Sequence, residues 1–471
     1  MIASRIGSAV CLVWILCLVV PAPAVAADER PVSYWGPIPA PADSVMADFD
    51  DPPRPAWEYP VAGLWWVVRA PFELARAGTR ATMVWLDESG TYERIRELIA
   101  PVELPYGFTA TASLGQLSGL TGNLSFYHDA FLRPGNRLKL GGGIGTREAR
   151  HAFAGMIVPT TTGSSLEFGV GYRLRGKARY FGPGPFSDED DESYFTQETS
   201  WVGALYRQHL GLAGVDLVAD LKYTTMRSRD PRIDDDDGDD PLDPDELSVA
   251  EAFAGRLPTG FREDCDGAGI GIGLVRDTTV EEGRPRTGTI TRIKLGYFAP
   301  EDEGQADFFT YRADAEAFAD LWWDRALAVR AFYSFIDSDG EAVHFQRLFT
   351  NDDPDLFRGY EDFRFRDRGI TGLTLEYRYP VWDYTDPGDI TLDAYTFYDA
   401  GQVFGDRQEI ALDALRHSYG FGVRLSTHGG FQGRLELGVS EEETLVRLSG
   451  SQPFQHDRRN YYDGREPIPT R

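Results

Sequence analysis

Cysteine is almost missing from this chain. It has three in 471 residues, and two of them, Cys11 and Cys17, lie in an N-terminal apolar stretch. Once such a leader is removed only Cys265 remains, which excludes an intrachain disulfide and any paired-cysteine metal site. Basic charge is also scarce: Lys and Arg total 47 against 74 Asp and Glu, a formal net charge of −27. Nucleic-acid binding needs basic patches for the phosphates, so that partner class is excluded. No stretch after the leader offers the ~18 consecutive apolar residues that a spanning helix needs. The seven histidines are scattered. Gly-x-Ser-x-Gly, His-Glu-x-x-His and a strand-borne phosphate loop are all missing, so the expectation is no enzyme, no cofactor and no metal centre.

What is present begins with the leader. Residues 1–27 read as a secretory signal, with Arg5 near the start, an apolar run from Ala9 to Val20 and Ala-Pro-Ala-Val-Ala-Ala before Asp28. A secreted chain without a spanning helix is either soluble outside the inner membrane or a barrel that crosses with strands. Residues 28–60 hold eight prolines, at 31, 37, 39, 41, 52, 53, 55 and 60, and predict an extended periplasmic lead-in. Residues 61–100 predict one or two short helices, the second stopped by Pro101. Their Trp65, Trp66, Phe72 and Trp85 suit either packing on the protein's own body or a position at the inner-membrane interface.

From Tyr106 the pattern becomes alternating apolar and polar residues, the period of a β-strand. About sixteen strands are predicted, near 105–116, 120–130, 136–146, 150–159, 165–176, 193–208, 214–228, 266–276, 287–298, 307–319, 324–336, 369–380, 389–399, 414–426, 431–439 and 443–454. Lengths of roughly ten residues suit barrel strands tilted across a bilayer. Connections after even-numbered strands are mostly short, and most after odd-numbered strands are long and acidic, including 177–192, 229–265 and 337–368. Short periplasmic turns and long surface loops are the asymmetry of outer-membrane barrels. The expected fold is therefore all-β: a transmembrane antiparallel β-barrel over 101–455, a periplasmic Pro-rich and helical segment at 28–100 and a polar tail at 456–471. The aspartate run at 233–246 invites a calcium reading, but Gly238 at the sixth loop position would put Ile233 at the first, where a ligand is needed. A solvated loop, with loose divalent bridging to lipopolysaccharide as the alternative, fits better.

One stretch organises the rest. Arg358-Gly359-Tyr360 lies in the sixth surface loop, between predicted strands eleven and twelve. The next strand places Thr374, Glu376 and Arg378 on its polar face, and the one after it places Asp393, Tyr395, Phe397 and Asp399 there, ahead of Gly401. In a membrane barrel that polar face lines the lumen. Other inward positions carry both signs: Arg292, Lys294, Arg312, Asp314, Glu316, Arg330, Arg424, Arg434 and Glu436. Mixed charge fills a lumen by pairing, where one sign would suggest an ion-selective pore.

The loop triplet, the Leu-Glu-Tyr-Arg-Tyr-Pro strand and the Phe-Tyr-Asp-Ala-Gly strand resemble, in order and spacing, the barrel of the BamA/TamA outer-membrane assembly family, also called the bacterial surface antigen family. The segments Ala178–Phe195 and Leu274–Ile290 extend the resemblance to roughly 165–455. The resemblance implies an arginine, Arg358, that folds back into the barrel and meets Glu376 and Asp399, with Phe397 and Gly401 beside them. It implies insertion or translocation of proteins at the outer membrane of a Gram-negative-type cell, with outer-membrane proteins as clients and lipids and lipopolysaccharide as surroundings. The space between Asp28 and Pro101 holds at most one of the family's periplasmic POTRA modules, and its prolines argue against even that. The last strand should end at an aromatic residue, Phe454, yet a polar tail runs on. A passive channel or a lipid-interacting barrel that kept only the fold is the alternative.

Overall fold

The computed structural model describes residues 106–449, except 116–118, 162, 212–213, 232–245, 280–284, 322–324, 352–355, 384–389 and 428–431. The leader, the segment at 28–100, most of the aspartate run, Phe454 and the tail lie outside the described residues.

Sixteen strands form one antiparallel sheet in chain order. They are β1 (Tyr106–Gly115), β2 (Gly119–His128), β3 (Arg137–Gly145), β4 (Arg150–Thr161), β5 (Ser164–Tyr180), β6 (Ser193–His209), β7 (Val215–Arg229), β8 (Gly267–Asp277), β9 (Gly288–Pro300), β10 (Phe308–Leu321), β11 (Arg325–Asp337), β14 (Gly369–Asp383), β15 (Ile390–Phe404), β16 (Arg416–Thr427), β17 (Gln432–Val439) and β18 (Thr444–Ser449). Two short strands, β12 (Phe349–Thr350) and β13 (Arg366–Asp367), pair within the connection between β11 and β14. Each of the sixteen predicted strands coincides with one of these. The largest extensions past the expected ends are in β5 and β15. β5 continues past 176 because a bulge between Arg175 and Ala178 absorbs the break in register. β15 continues to Phe404, so Gly401 lies inside a strand.

The sheet is apolar on the outside and polar on the inside. Leu124, Ile144, Val202, Ile270, Ile272, Leu295, Phe421 and Leu435 are exposed on its outer face, while their neighbours in the pleat point inward. In water this surface would be a liability; against lipid it needs no protein partner. Polar aromatics mark the rims: the Tyr297 hydroxyl donates to Asp307 at 2.5 Å and that of Tyr223 to Glu301 at 2.5 Å.

β1 and β18 lie side by side, but no hydrogen-bonded ladder joins them among the described residues. The sheet thus closes at a seam. At one end of the barrel the long connections fold over the mouth. Tyr180, Phe195, Val249, Phe253, Phe261 and Phe345 form one buried cluster, drawn from β5, β6, the β7–β8 connection and the β11–β14 connection. A helical turn at Val249–Ala252 seats this cap, closed by reciprocal hydrogen bonds between Ser248 and Glu251.

Candidate functional site

The connection between β11 and β14 turns back into the barrel. Its backbone bends at Phe357, which sits at φ 58°, and again at Phe363, at φ 67°. Left-handed backbone is unfavourable for bulky residues, so surrounding packing must hold it there. Phe357 packs with Phe332, Leu356, Tyr360, Phe365, Ile370 and Val403. Gly359 supplies closeness: a Cβ there would sit 2.8 Å from the Ser418 Cβ and from the Val439 carbonyl oxygen. Gly401 does the same for Phe357, whose ring would lie 2.7 Å from an added Cβ.

Between these anchors Arg358 is fully buried. Its Nε and Nη2 donate to the two oxygens of Asp399 at 3.0 and 2.8 Å, a bidentate pair. Its Nη1 donates to Glu376 at 3.0 Å and to Glu436 at 3.3 Å. The backbone N–H of Arg358 donates to Asp399 at 3.1 Å, and the Ser418 hydroxyl donates to the same carboxylate at 3.3 Å. The guanidinium lies over the Phe397 ring, 3.7 Å from its centre. Burial alone would favour a neutral guanidine, but Asp399, Glu436 and Glu376 outweigh it and hold Arg358 protonated well above its ordinary value.

The carboxylates have other partners too. Glu376 accepts from Arg378 at 2.7 Å, Asp393 from Arg424 at 3.1 Å, and Glu436 faces Arg434 at 3.1 Å. Arg358, Arg378, Arg424 and Arg434 thus match Glu376, Asp393, Asp399 and Glu436 in number. Alternating signs offset the cost of burying each charge, which alone would be several kcal/mol per ion. The period of two explains why: all seven strand-borne members come from inward positions of β14–β17. His417, next to Ser418, faces outward and stacks on Tyr398.

The loop's grip extends to the rim and the last strand. Arg364 reaches Glu442 at 2.8 Å and the Ser187 hydroxyl at 2.8 Å. Arg447 of β18 reaches Asp362 at 2.6 Å and the Tyr360 carbonyl. Glu361 pairs with Arg179 at 2.7 Å, yet burial, aided by Glu192 and Glu443, pushes its carboxyl up to about 7. His344, packed against Gly260 and Phe345, is pushed down to about 4, chiefly by burial.

Strand alternation put Glu376, Phe397 and Asp399 on inward faces, the family resemblance implied that Arg358 meets them, and the structure brings all four together. It missed that Glu436 is a third acid on Arg358. The signal was available, since Glu436 was already on the inward face; what pattern cannot give is depth along the barrel. Arg364 and Arg447 gave no signal, because their partners are fixed only by the loop's path. The loop's bend is at Phe357, and Gly359 is required for close approach. Among the described residues, no cluster of three or more His, Cys, Asp or Glu could hold a metal ion.

A family model, the Omp85 superfamily domain, matches residues 106–439, from the start of β1 to the end of β17. The chain belongs to the Omp85 superfamily. It is thus an outer-membrane β-barrel of a superfamily of non-enzymatic transport and assembly barrels. Among solved structures, the Omp85 barrel here is similar to BamA from Haemophilus ducreyi lacking POTRA domains 1–3, with 14% identity, a TM-score of 0.51, and 74% of this chain and 69% of that one covered. It is also similar to CdiB from Escherichia coli, with 12% identity and a TM-score of 0.51, over 75% of this chain and 62% of that one. At such identities the likeness is one of fold. No curated protein matches the chain in sequence.

Proposed function

We propose that this Omp85 barrel inserts or translocates proteins at the outer membrane, using the β1–β18 seam as the working edge and the inward loop as the brace that keeps the lumen closed. The observation that carries this reading is the seam. Backbone N–H and C=O groups left without partners within a bilayer cost several kcal/mol each, so two strand edges that share no ladder among the described residues favour pairing with an incoming strand. The brace supports it, because seven buried inward charges on β14–β17, joined by Arg358 of the loop, fill the lumen along the wall beside the seam. The same filling argues against the alternative, a passive channel. In this reading residues 28–100 stand on the periplasmic side, outer-membrane lipids and lipopolysaccharide surround the barrel, and unfolded outer-membrane proteins are the clients.

The test is reconstitution. Vesicles containing the full protein should fold an added, unfolded barrel protein at least about tenfold faster than empty vesicles, equivalent to ~1.4 kcal/mol in barrier. Equal rates, together with steady ion conductance in planar bilayers, would replace this reading with the channel. Surface proteolysis of intact cells should cut within 229–265 and spare residues before 100; cleavage there would reverse the topology.

A further inference from the structure

β18 is the least supported strand of the sheet. Its ladder to β17 spans six residue pairs, Arg434↔Ser449 to Val439↔Thr444, the shortest in the barrel among the described residues. On its other side it has no ladder among the described residues. Its outward Val446 and Leu448 are exposed, so they add contact only with lipid. Its inward face is different. Arg447 projects into the lumen, lies opposite Glu436 in register, and bonds Asp362 and the Tyr360 carbonyl. Both acceptors belong to the loop whose neighbouring Arg358 is held by Asp399, Glu376 and Glu436. The loop backbone also runs close over β17, where a Cβ on Gly438 would lie 2.4 Å from the Arg358 carbonyl oxygen. One continuous set of contacts therefore runs from the buried arginine to the edge strand of the seam.

We propose that Arg447 is a positioning residue that couples the inward loop to the seam: with the loop docked, Arg447 pins β18 to the wall, and when the loop withdraws, β18 loses its inner support and the seam widens from the β18 side. This names a control on the seam and rests on the reading of seam and loop as working parts. The physical basis is substitution of support. An edge strand with one short ladder opens easily, and a charge-assisted, two-acceptor guanidinium contact supplies what the missing neighbour does not. A lysine at the same place keeps the charge but loses the fork that engages both acceptors.

Hydrogen exchange on the full-length protein in lipid nanodiscs, without any client, tests the coupling apart from the insertion activity. Arg447→Ala should speed exchange across 444–449 by about tenfold or more while leaving β7, at 215–229, within about twofold. Arg447→Lys should restore part of the protection. Arg358→Ala should raise exchange in both 356–365 and 444–449, and adding Arg447→Ala to it should change 444–449 little further, the non-additivity expected of one linked set. Asp362→Asn is the milder variant should Arg358→Ala fail to fold, and it should raise 444–449 in the same direction. Unchanged exchange at 444–449 in Arg447→Ala, or an equal rise in β7, would overturn the coupling. Loss of insertion activity with this exchange pattern intact would instead overturn the proposed function alone.

Discussion

The inner wall of β14–β17 and the inner wall of β2–β4 start from the same sequence pattern and end in different states. In the first, Glu376, Arg378, Asp393, Asp399, Arg424, Arg434 and Glu436 are all at most 3% exposed. In the second, Asn123, Ser125, Lys139, His151 and Phe153 remain partly exposed. The second wall also carries small residues. A Cβ on Gly141 would strike the Phe153 ring at 2.6 Å, and one on Gly143 the Asn123 amide oxygen at 2.2 Å. Those glycines let neighbouring side chains lie flat against the sheet, and Lys139 lies over the Phe153 ring of the same wall. On the β14–β17 wall the charges are taken from water by the loop that folds over them. The contrast teaches that the alternation builds the barrel, and the loop decides which part of its lumen is solid.

Removing the loop's arginine should give the largest effect. Arg358→Ala leaves three buried carboxylates short of a partner, and breaking such a pair costs about 3–5 kcal/mol. Because Arg358 has no exposed surface, little of that should be screened. The expected result is a barrel that still assembles but melts earlier as a folded band on a gel, with the 338–368 connection newly open to protease. A variant with the heat resistance of the wild type would erase the distinction between the two walls.

The acids should rank by the bonds they hold. Asp399 accepts both forks of Arg358, its backbone N–H and the Ser418 hydroxyl, whereas Glu376 takes one bond from Arg358 and one from Arg378. Asp399→Asn should therefore cost about 2–3 kcal/mol and Glu376→Gln about 1–2 kcal/mol, on the scale of hydrogen bonds to charged groups. Each should combine with Arg358→Ala to less than the sum. Denaturant or thermal melts of the three single variants and the two double variants check both the order and the shortfall.

The loop's docking should depend on pH in two opposite ways. Glu361 binds its proton more tightly in the docked loop, with a value of about 7 against 4.5. Its contribution favours docking at low pH and fades as pH rises through 7. His344 has the opposite sign, about 4 against 6.5, so its contribution is present above 6.5 and is lost as pH falls toward 4. Docking should be firmest between about 5 and 6.5. Exchange of amides in 338–368, corrected for intrinsic rates, should be slowest in that window. Glu361→Gln should flatten the alkaline side only.

The smallest effect should come from the open wall. Ser125 faces the lumen, carries no charge and is partly exposed. Ser125→Ala should change stability by less than about 0.5 kcal/mol. A drop comparable to that of Glu376→Gln would mean the β2–β4 wall is filled as well.

Strand number, strand order and the inward or outward sense of each side chain were legible in the sequence, because a period of two is a local property that the pleat enforces residue by residue. The same logic put Glu376 and Asp399 on inward faces, and the resemblance to the BamA/TamA family implied that Arg358 meets them. It could not choose among the inward acids, since Glu436 and Asp393 have equal claims by parity and differ only in height along the barrel axis. That height comes from the stagger of sixteen paired strands, a sum over the whole sheet. The sequence by itself thus determined a lipid-facing barrel with a charged lumen and an arginine able to enter it. Only the tertiary structure decided that the arginine is shared by three strands, that Gly359 is needed for approach to β16 and β17, and that Arg447 ties the loop to the seam. Each of those depends on where a long loop comes to rest, and a loop's path is fixed by packing against elements distant in sequence, not by its own pattern.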